Sequence, residues 1–273
     1  MRHKNTADKK AFLRNYFSRG ECFFRYQTGS GGKGTVILLH GWGVRAFAMT
    51  QLAVFLQRQG YHVLNYDYPS SKRSIRDHAE VFLNKFRKEQ FTGNLYFVTH
   101  SMGGLVLRRA YAVMTQEERQ RISAIVMLGP PNRGSKLAYF SKLPLFHIFN
   151  RSLGDMIPGN RELAIPVPDE GYPPIGIIAG TKDGKVSYHS TALPNRLTFD
   201  RITVKCDHPG LRDPLKTGRY ILRLGSSPRD GASARTSRMQ RWRSAHAVVC
   251  LASPFGRGVL YFIVTTAMPF SFR

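Results

Sequence analysis

Short apolar runs alternate with longer amphipathic segments between residue 35 and about residue 205. The runs are rich in β-branched and aromatic residues, which is typical of buried strands. They are TVILLH (35–40), HVLNYDY (62–68), NLYFVTH (94–100), RISAIVMLG (121–129), IGIIAG (175–180) and RITVKC (201–206). Apolar residues recur at helical spacing in three segments between them, 46–60, 75–90 and 105–114. The alternation predicts parallel βαβ units, with helices on both faces of the sheet.

This pattern divides the chain into three parts. Residues 1–34 are predicted to be an N-terminal extension, residues 35–217 an α/β domain, and residues 218–273 an arginine-rich tail that we expect to be disordered in part. Within the domain, residues 130–174 are rich in Pro and Gly and break the alternation. They are predicted to be an insertion over the sheet edge, with a short helix near Lys136–Phe149. The pattern assigns no role to the tail.

Charge is the unusual feature of the composition. The 273 residues include 41 Lys and Arg against 17 Asp and Glu, for a formal net charge of +24. Such a surface attracts anionic membranes and nucleic acid. No zinc-finger spacing, helix-turn-helix signature or aromatic RNA-binding box accompanies the charge, so we favour a solvated basic surface on an enzyme over nucleic-acid binding.

The number and spacing of the cysteines and the length of the apolar segments bear on the cellular compartment. Cys22, Cys206 and Cys250 are odd in number and far apart, which fits a reducing compartment. The basic N-terminus has no apolar run of signal-peptide length, and the segment 258–270 is too short to cross a bilayer. We therefore expect a cytoplasmic protein.

The segment LYFVTHSMGGLVL (95–107) has the pattern of a nucleophile elbow. A nucleophilic serine needs its hydroxyl held out of the backbone at a sharp turn from strand to helix, with small neighbours. Ser101 occupies that turn, and Gly103 and Gly104 supply the room, although Thr99 stands where G-x-S-x-G has its first glycine. The alternative is a serine that only caps the helix. The strand, the helix and the paired glycines together favour the nucleophile.

An earlier strand ends at HGWG (40–43). Acyl transfer passes through an oxyanion that needs N–H donors already in place. The predicted donors are the backbone N–H groups of Met102, directly after the serine, and Trp42, in the loop after the earlier strand. An HG pair at a strand end is otherwise an ordinary turn.

Two late strands are followed by the segments DGKV (183–186) and DHPG (207–210). A serine nucleophile needs a histidine as its base and a carboxylate that orients the histidine. Asp183 and His208 are the candidates. Asp207 is a rival acid, but adjacent residues do not easily orient each other's side chains. His40 and His100 are expected to position backbone, and His147 and His189 to be surface or packing residues. Asp155 and Asp169 lie in the irregular insertion and rank below Asp183 as candidate acids.

Together HGWG, VTHSMGG, DGKV and CDHPGL resemble the α/β-hydrolase superfamily, and within it lipase- or esterase-like members. YDYPS (66–70) and GPPNRGS (129–135) resemble a bacterial lipase-like branch. The resemblance covers about residues 33–215. It implies an α/β-hydrolase fold, with a mostly parallel central sheet and residues 130–174 as a lid-like insertion after the strand that follows the elbow. Because that family orders its triad Ser, acid, His, the resemblance implies Ser101, Asp183 and His208, with Trp42 and Met102 as oxyanion donors and no metal or organic cofactor.

Two features depart from the family. The spacing from IGIIAG to DGKV is short, where similar proteins carry a longer loop that shapes the pocket. The tail carries no motif that we recognise as typical of the family.

The predicted function is cleavage of small-molecule or lipid carboxylic esters through an acyl-enzyme. Apolar residues of the insertion would form an acyl pocket or lid, namely Leu143, Leu145, Phe146, Ile148 and Phe149. Two alternatives stay open: an acyltransferase or thioesterase with the same triad, and a basic module that binds nucleic acid or anionic lipid and carries a vestigial triad. Contact with an anionic membrane surface is compatible with lipase activity.

Overall fold

A computed structural model describes residues 20–29, 32–143, 150–165, 172–193 and 199–225. Its strands are β1 (Cys22–Tyr26), β2 (Thr35–Leu39), β3 (His62–Asp67), β4 (Leu95–His100), β5 (Ile122–Leu128), β6 (Ile175–Gly180) and β7 (Asp200–Val204). Its α-helices are α1 (Thr50–Arg58), α2 (Ile75–Phe86), α3 (Met102–Val113), α4 (Gln116–Gln120), α5 (Arg151–Asp155) and α6 (Pro214–Gly225). Short 3₁₀ helices lie at Ala46–Met49, Lys136–Lys142, Arg161–Leu163, His189–Thr191 and Pro209–Arg212.

The strands form one seven-stranded sheet in the order β1-β3-β2-β4-β5-β6-β7. Only β1 pairs antiparallel, with β3; the other neighbours are parallel. Every residue of β2 and β6 is buried, as expected for parallel strands covered on both faces. The predicted mostly parallel α/β sheet is therefore confirmed.

Side chains of the central strands alternate between two faces. Ile37 of β2 belongs to the core that contains the buried residues of α2 and α3. Its neighbour Val36 instead lines a small cavity with Leu56 of α1 and Ile221 of α6. Helices thus cover both faces of the sheet, as the alternating pattern predicts.

The sheet and its last helix extend beyond the boundaries expected at residues 34 and 217. Strand β1 lies inside the expected N-terminal extension; it is an edge strand with only partly buried residues, so its apolar pattern is weak. Helix α6 crosses residue 217. Its first turn is capped by Asp213, whose Oδ1 accepts from the Leu215 N–H at 2.9 Å. Gly218 weakens the helical pattern of this segment in the sequence. Glycine is required at that position because a Cβ there would lie 2.6 Å from the Phe55 ring of α1.

The chain reverses its direction across the sheet between β2 and β4. From β2 it proceeds to β3 on one side, and from β4 to β5 on the other. A crevice forms outside the carboxyl ends of two such strands and commonly holds the ligand. The HGWG loop follows β2, and Ser101 follows β4. The topology therefore brings these two motifs to the same crevice.

The insertion between β5 and β6 is tied to the loop that follows β3. The Ser152 hydroxyl donates to the Ser70 carbonyl at 2.6 Å, and Asp155 accepts from the Ile75 N–H at 2.7 Å. The helix expected near Lys136–Phe149 is a 3₁₀ helix over Lys136–Lys142. The rest of that prediction lies outside the described residues, as do the predictions on these other positions: Leu145, Phe146, His147, Ile148, Phe149, Asp169, Cys250 and the tail from residue 226.

Two further observations concern predictions on the compartment. No helix within the described ranges is both long and apolar enough to cross a bilayer. The two cysteines in those ranges, Cys22 and Cys206, are free thiols.

We predict that Gly103→Ala destabilises the fold by about 1–3 kcal/mol, because overpacking against rigid backbone forces the helix away from the sheet. A Cβ at Gly103 would lie 2.5 Å from the Leu39 carbonyl oxygen and 2.6 Å from that of His40. Urea unfolding measures the loss. Gly154→Ala is the matched control: its Cβ would meet nothing nearer than 3.8 Å, so we expect a change within about 1 kcal/mol. Equal stabilities of the two variants would contradict this packing argument.

Candidate active site

Ser101 lies at a strained turn between β4 and α3. Its φ of 53° and ψ of −126° make it the only non-glycine residue with a positive φ in the described part of the chain. Such backbone costs about 1–3 kcal/mol and persists only where the surroundings enforce it. Here the Ser101 N–H donates to the Leu128 carbonyl at 2.8 Å. The side chain makes no capping hydrogen bond to α3, so the alternative of a helix-capping serine is wrong.

Three glycines allow the backbone to close around this turn. A Cβ at Gly41 would lie 2.8 Å from the Ser101 Cβ, and Gly103 lies against the end of β2. A Cβ at Gly104 would lie 3.3 Å from Oγ1 of Thr99, a tighter contact than usual. Glycine at position 104 thus leaves space for Thr99, which explains how a threonine occupies the first position of the motif.

Asp183 and His208 form a buried hydrogen-bonded pair at the ends of β6 and β7. Asp183 Oδ2 lies 2.6 Å from His208 Nδ1, and these side chains are 1% and 7% exposed. Asp183 Oδ1 accepts from the backbone N–H groups of Lys185 and Val186, each at 2.9 Å. Because a carboxylate can only accept, Nδ1 of His208 is the donor, which leaves Nε2 as the basic nitrogen of a neutral ring.

The other candidate acids and histidines have different contacts. Asp207 accepts from the Gly210 N–H at 2.9 Å and so stabilises the turn after His208. Asp155 holds the start of α2, as described above. His189 is exposed and lies 3.4 Å from an Arg133 nitrogen. Among the described acids, only Asp183 contacts the His208 ring by a hydrogen bond.

Ser101, His208 and Trp42 line one cleft, which encloses about 560 Å³ of empty space, open solvent included. The Ser101 hydroxyl and the His208 ring share this cleft without a hydrogen bond between them, and in ligand-free sites such contacts often tighten only when substrate binds. Five further residues line the cleft and were given no role from the sequence: Leu137, Leu153, Met156, Lys185 and Arg212. Lys185 lies within the DGKV segment, and the other four belong to no motif.

The loop that carries Trp42 is held by the end of β3. Asp67, buried there, accepts hydrogen bonds from the Arg45 guanidinium and, at 2.7 Å, from the Ala46 N–H. The Ser70 hydroxyl donates to the Val44 carbonyl at 3.0 Å. These contacts fix the backbone directly after the predicted oxyanion donor, and sequence analysis missed them too. Asp67 and Ser70 belong to the YDYPS segment, which indicated only a resemblance to a bacterial lipase-like branch.

The N–H groups predicted as oxyanion donors have no hydrogen-bond partner in the described part of the chain. Met102 begins α3, where the first N–H groups of a helix have no partner within it. Within the described residues, neither the Met102 N–H nor the Trp42 N–H is engaged in a hydrogen bond. Trp42 lines the cleft and Met102 is fully buried beside Ser101.

Two buried histidines flank the elbow. His40 donates from Nδ1 to the Gly41 carbonyl at 2.9 Å, accepts at Nε2 from the Tyr68 N–H at 3.3 Å, and stacks on the Tyr68 ring. His100 donates from Nε2 to the His208 carbonyl at 3.0 Å. Burial lowers the pKa of His40 to about 4 and that of His100 well below its usual value. Both rings are therefore neutral and hold the backbone on either side of the site.

The donor chemistry of a metal site is lacking in the described ranges. No group of three or more His, Cys, Asp or Glu side chains there is arranged to hold a metal ion.

We predict that Ser101→Gly is more stable than Ser101→Ala by about 1 kcal/mol. Glycine adopts the positive φ without strain, whereas alanine retains the backbone strain of serine. The strain energy relieved by glycine exceeds the entropic cost of ordering the more flexible glycine backbone on folding. Urea unfolding of the two variants measures the difference. A Ser101→Gly protein no more stable than Ser101→Ala would show that the turn stores no strain.

We predict that acidification below pH 6.5 destabilises the fold through His40. Its folded pKa of about 4 lies below the unfolded value of about 6.5, so the unfolded chain binds more protons between these values. The stabilisation is complete above pH 6.5 and about 2–3 kcal/mol is lost by pH 4.5.

Unfolding free energies at pH 7 and pH 4.5 test this prediction. His40→Asn should lose less stability between the two pH values than the wild type, whereas the exposed control His189→Asn should follow the wild type. An unchanged pH dependence in His40→Asn would refute the assignment.

Comparisons with known proteins place the chain in a family. The profile described as the alpha/beta hydrolase family matches residues 36–258, and a search of curated proteins found no significant match. Among solved structures, the mature lipase BlEst2 of Bacillus licheniformis superposes with a TM-score of 0.63 at 18% identity, covering 75% of this chain and 98% of the lipase. A putative thioesterase from Silicibacter gives 0.53 at 15% (78% and 90% covered), and Est1E from Butyrivibrio proteoclasticus gives 0.51 at 15% (81% and 95% covered). At these identities the likeness shows the fold, and the profile match over most of the chain shows that this protein belongs to the alpha/beta hydrolase family.

Proposed function

We propose that the protein hydrolyses carboxylic esters, with Ser101 as nucleophile, His208 as general base and acid, and Asp183 as the group that orients His208. The observation that carries the proposal is the 2.6 Å contact between Asp183 and the His208 ring, in the same cleft as the hydroxyl of a strained elbow. The lipase BlEst2 among the similar structures has this fold and is consistent with the proposal.

In the acylation step, His208 Nε2 takes the proton of the Ser101 hydroxyl as its oxygen attacks the ester carbonyl carbon. The Asp183 carboxylate accepts from Nδ1 and stabilises the imidazolium that forms. The bond to the alcohol oxygen breaks as His208 returns the proton to that oxygen, so that an alcohol and an acyl-enzyme result. Water then repeats the sequence on the acyl carbonyl and releases the carboxylic acid.

The charge that develops on the carbonyl oxygen needs donors that do not move during the reaction. The free N–H groups of Trp42 and Met102 are the proposed donors. The clamp of Asp67 on Arg45 and Ala46 holds the loop after Trp42, and Met102 is fixed by the first turn of α3. Preorganised donors of this kind typically contribute about 3–4 kcal/mol each to lowering the barrier.

The acyl group is proposed to lie against the insertion. Leu137, Leu153 and Met156 of that segment line the cleft and are the proposed contacts of the acyl chain. Leu143, expected in the acyl pocket, is instead 52% exposed and does not line the cleft. The same chemistry serves thioesters, and the likeness to a putative thioesterase is consistent with such substrates.

We predict that a fluorophosphonate probe labels Ser101 and that p-nitrophenyl butyrate is hydrolysed by the wild type but not measurably above background by Ser101→Ala. Only an activated serine reacts with the probe, since the reaction requires a base at the hydroxyl. Mass spectrometry of the labelled peptide identifies the residue, and release of p-nitrophenolate measures turnover. Equal hydrolysis by both proteins, or labelling at another serine, would reject Ser101 as nucleophile.

The same assay distinguishes Asp183, which contacts the His208 ring, from Asp207, which precedes His208 in the sequence. Asp183→Asn should lower kcat by about 10⁴-fold, because an amide favours the wrong tautomer of the histidine. Asp207→Asn removes the same charge from a residue that only stabilises a turn, so kcat should stay within about threefold of the wild type. The reverse order of effects would assign the orienting role to Asp207.

A further inference from the structure

The lining of the candidate cleft combines apolar and basic side chains. Leu137, Leu153 and Met156 of the insertion supply its apolar part. Lys185 and Arg212 also line the cleft, each from a loop that carries a member of the proposed triad. No Asp or Glu side chain lines the cleft, so the described lining carries a net positive charge.

Neither cation forms an ion pair with an acid among the described residues. The only side-chain hydrogen bond from Arg212 in those ranges goes to the Pro209 carbonyl at 3.3 Å. Burial lowers the pKa of the partly buried Arg212, and the charge of nearby Asp207 acts in the opposite direction without a direct contact. The acid of the proposed triad, Asp183, is engaged by His208 and two backbone N–H groups. An unpaired, partly desolvated guanidinium attracts an anion more strongly than an exposed one.

Arg212 lines the same cleft as Ser101 and His208. Burial is the main cause that lowers the pKa of His40 and His100 on either side of the elbow, and the charge of Arg212 acts in the same direction. The guanidinium extends from the same short 3₁₀ segment that follows His208 directly. It is therefore near the place where His208 would transfer a proton to the leaving group.

The orientation of a substrate follows from these positions. His208 must reach the leaving oxygen or sulfur to protonate it, so the leaving group lies beside the His208 loop. The apolar side chains of the insertion then remain for the acyl chain. An ester with an uncharged alcohol would leave Arg212 and Lys185 without an anionic partner.

We propose that Arg212 and Lys185 form an anion-binding subsite, and that the preferred substrate is an acyl ester or thioester whose leaving group carries a phosphate or carboxylate. This inference rests on the proposed ester hydrolysis at Ser101. Hydrolysis releases the acyl chain as a carboxylic acid and the anionic alcohol or thiol as the second product, with one water consumed.

A matched pair of chromogenic esters tests the subsite. 3-Butyryloxy-4-nitrobenzoate and its methyl ester share the acyl group and the scissile bond and differ in the negative charge of the leaving group. We expect kcat/KM to be about tenfold higher for the anionic ester at low salt, the size of one charge-assisted hydrogen bond. Arg212→Gln should reduce the ratio towards one, mainly by raising KM for the anionic ester, and Lys185→Gln should reduce it in part. Higher ionic strength should also reduce the wild-type ratio.

Two control variants separate this role from a loss of structure. Lys182→Gln removes the same charge from an exposed residue of the Asp183 loop that does not line the cleft, and should keep the wild-type ratio. Arg212→Lys keeps a cation and should recover part of the preference lost in Arg212→Gln. A wild-type kcat/KM ratio of one or less, or an unchanged ratio in Arg212→Gln, would overturn the subsite. In that case serine-dependent hydrolysis of the methyl ester would still support the proposed function. Hydrolysis of neither ester, without probe labelling of Ser101, would instead reject the proposed function.

A second pair of substrates identifies the source of the anion. Butyryl-coenzyme A compared with S-butyryl-N-acetylcysteamine tests a phosphate on a thiol, and 1-butyryl-glycerol 3-phosphate compared with monobutyrin tests a phosphate on a glycerol. One pair should show a preference for the phosphate-bearing substrate that Arg212→Gln abolishes. That pair identifies the class of leaving group. A ratio near one in both pairs would overturn a phosphate ligand and assign the subsite to carboxylates.

Discussion

The site depends on the close approach of three backbone segments at Ser101. The end of β2, the turn after β4 and the first turn of α3 come so near one another that a Cβ at Gly41 or Gly103 would overlap neighbouring atoms. This approach holds Ser101 at a φ that serine seldom adopts, and the strained turn presents the hydroxyl to the cleft. Because packed backbone cannot yield as a flexible side chain can, the geometry of the nucleophile is enforced by the sheet itself.

The parallel direction of the strands brings the remaining groups to the same place. β2, β4, β6 and β7 all end at one edge of the sheet, so the loops after them meet there although they are far apart in sequence. Asp183 is held by two N–H groups of its own loop and in turn orients His208. His100 then fixes the backbone of His208 from the strand that precedes the nucleophile.

The net charge of this cleft depends on which of its ionisable groups are neutral or paired. The buried histidines beside the elbow are neutral, since desolvation disfavours their charged forms, and Asp183 is satisfied within its loop. The cations of Arg212 and Lys185 are the charges left at the lining. The fold is shared with the lipase BlEst2 and with Est1E, both of low identity, and a fold does not select a substrate by itself. The proposed preference therefore rests on the local charge of this cleft.

The sequence by itself determined the order of the six parallel strands and of helices α1, α2 and α3, the elbow at Ser101 and the placement of Asp183 and His208 after late strands, because periodicity and short motifs are local properties of the chain. It did not determine β1, whose half-exposed edge pattern is weak, or α6, whose Gly218 is required by the Phe55 ring on another helix. Only the tertiary structure decided that Asp183 rather than Asp207 contacts His208, that Asp67 clamps Arg45 beside Trp42, and that Arg212 lines the cleft. These are contacts between distant segments, and their partners become known only when the sheet has brought the loops together.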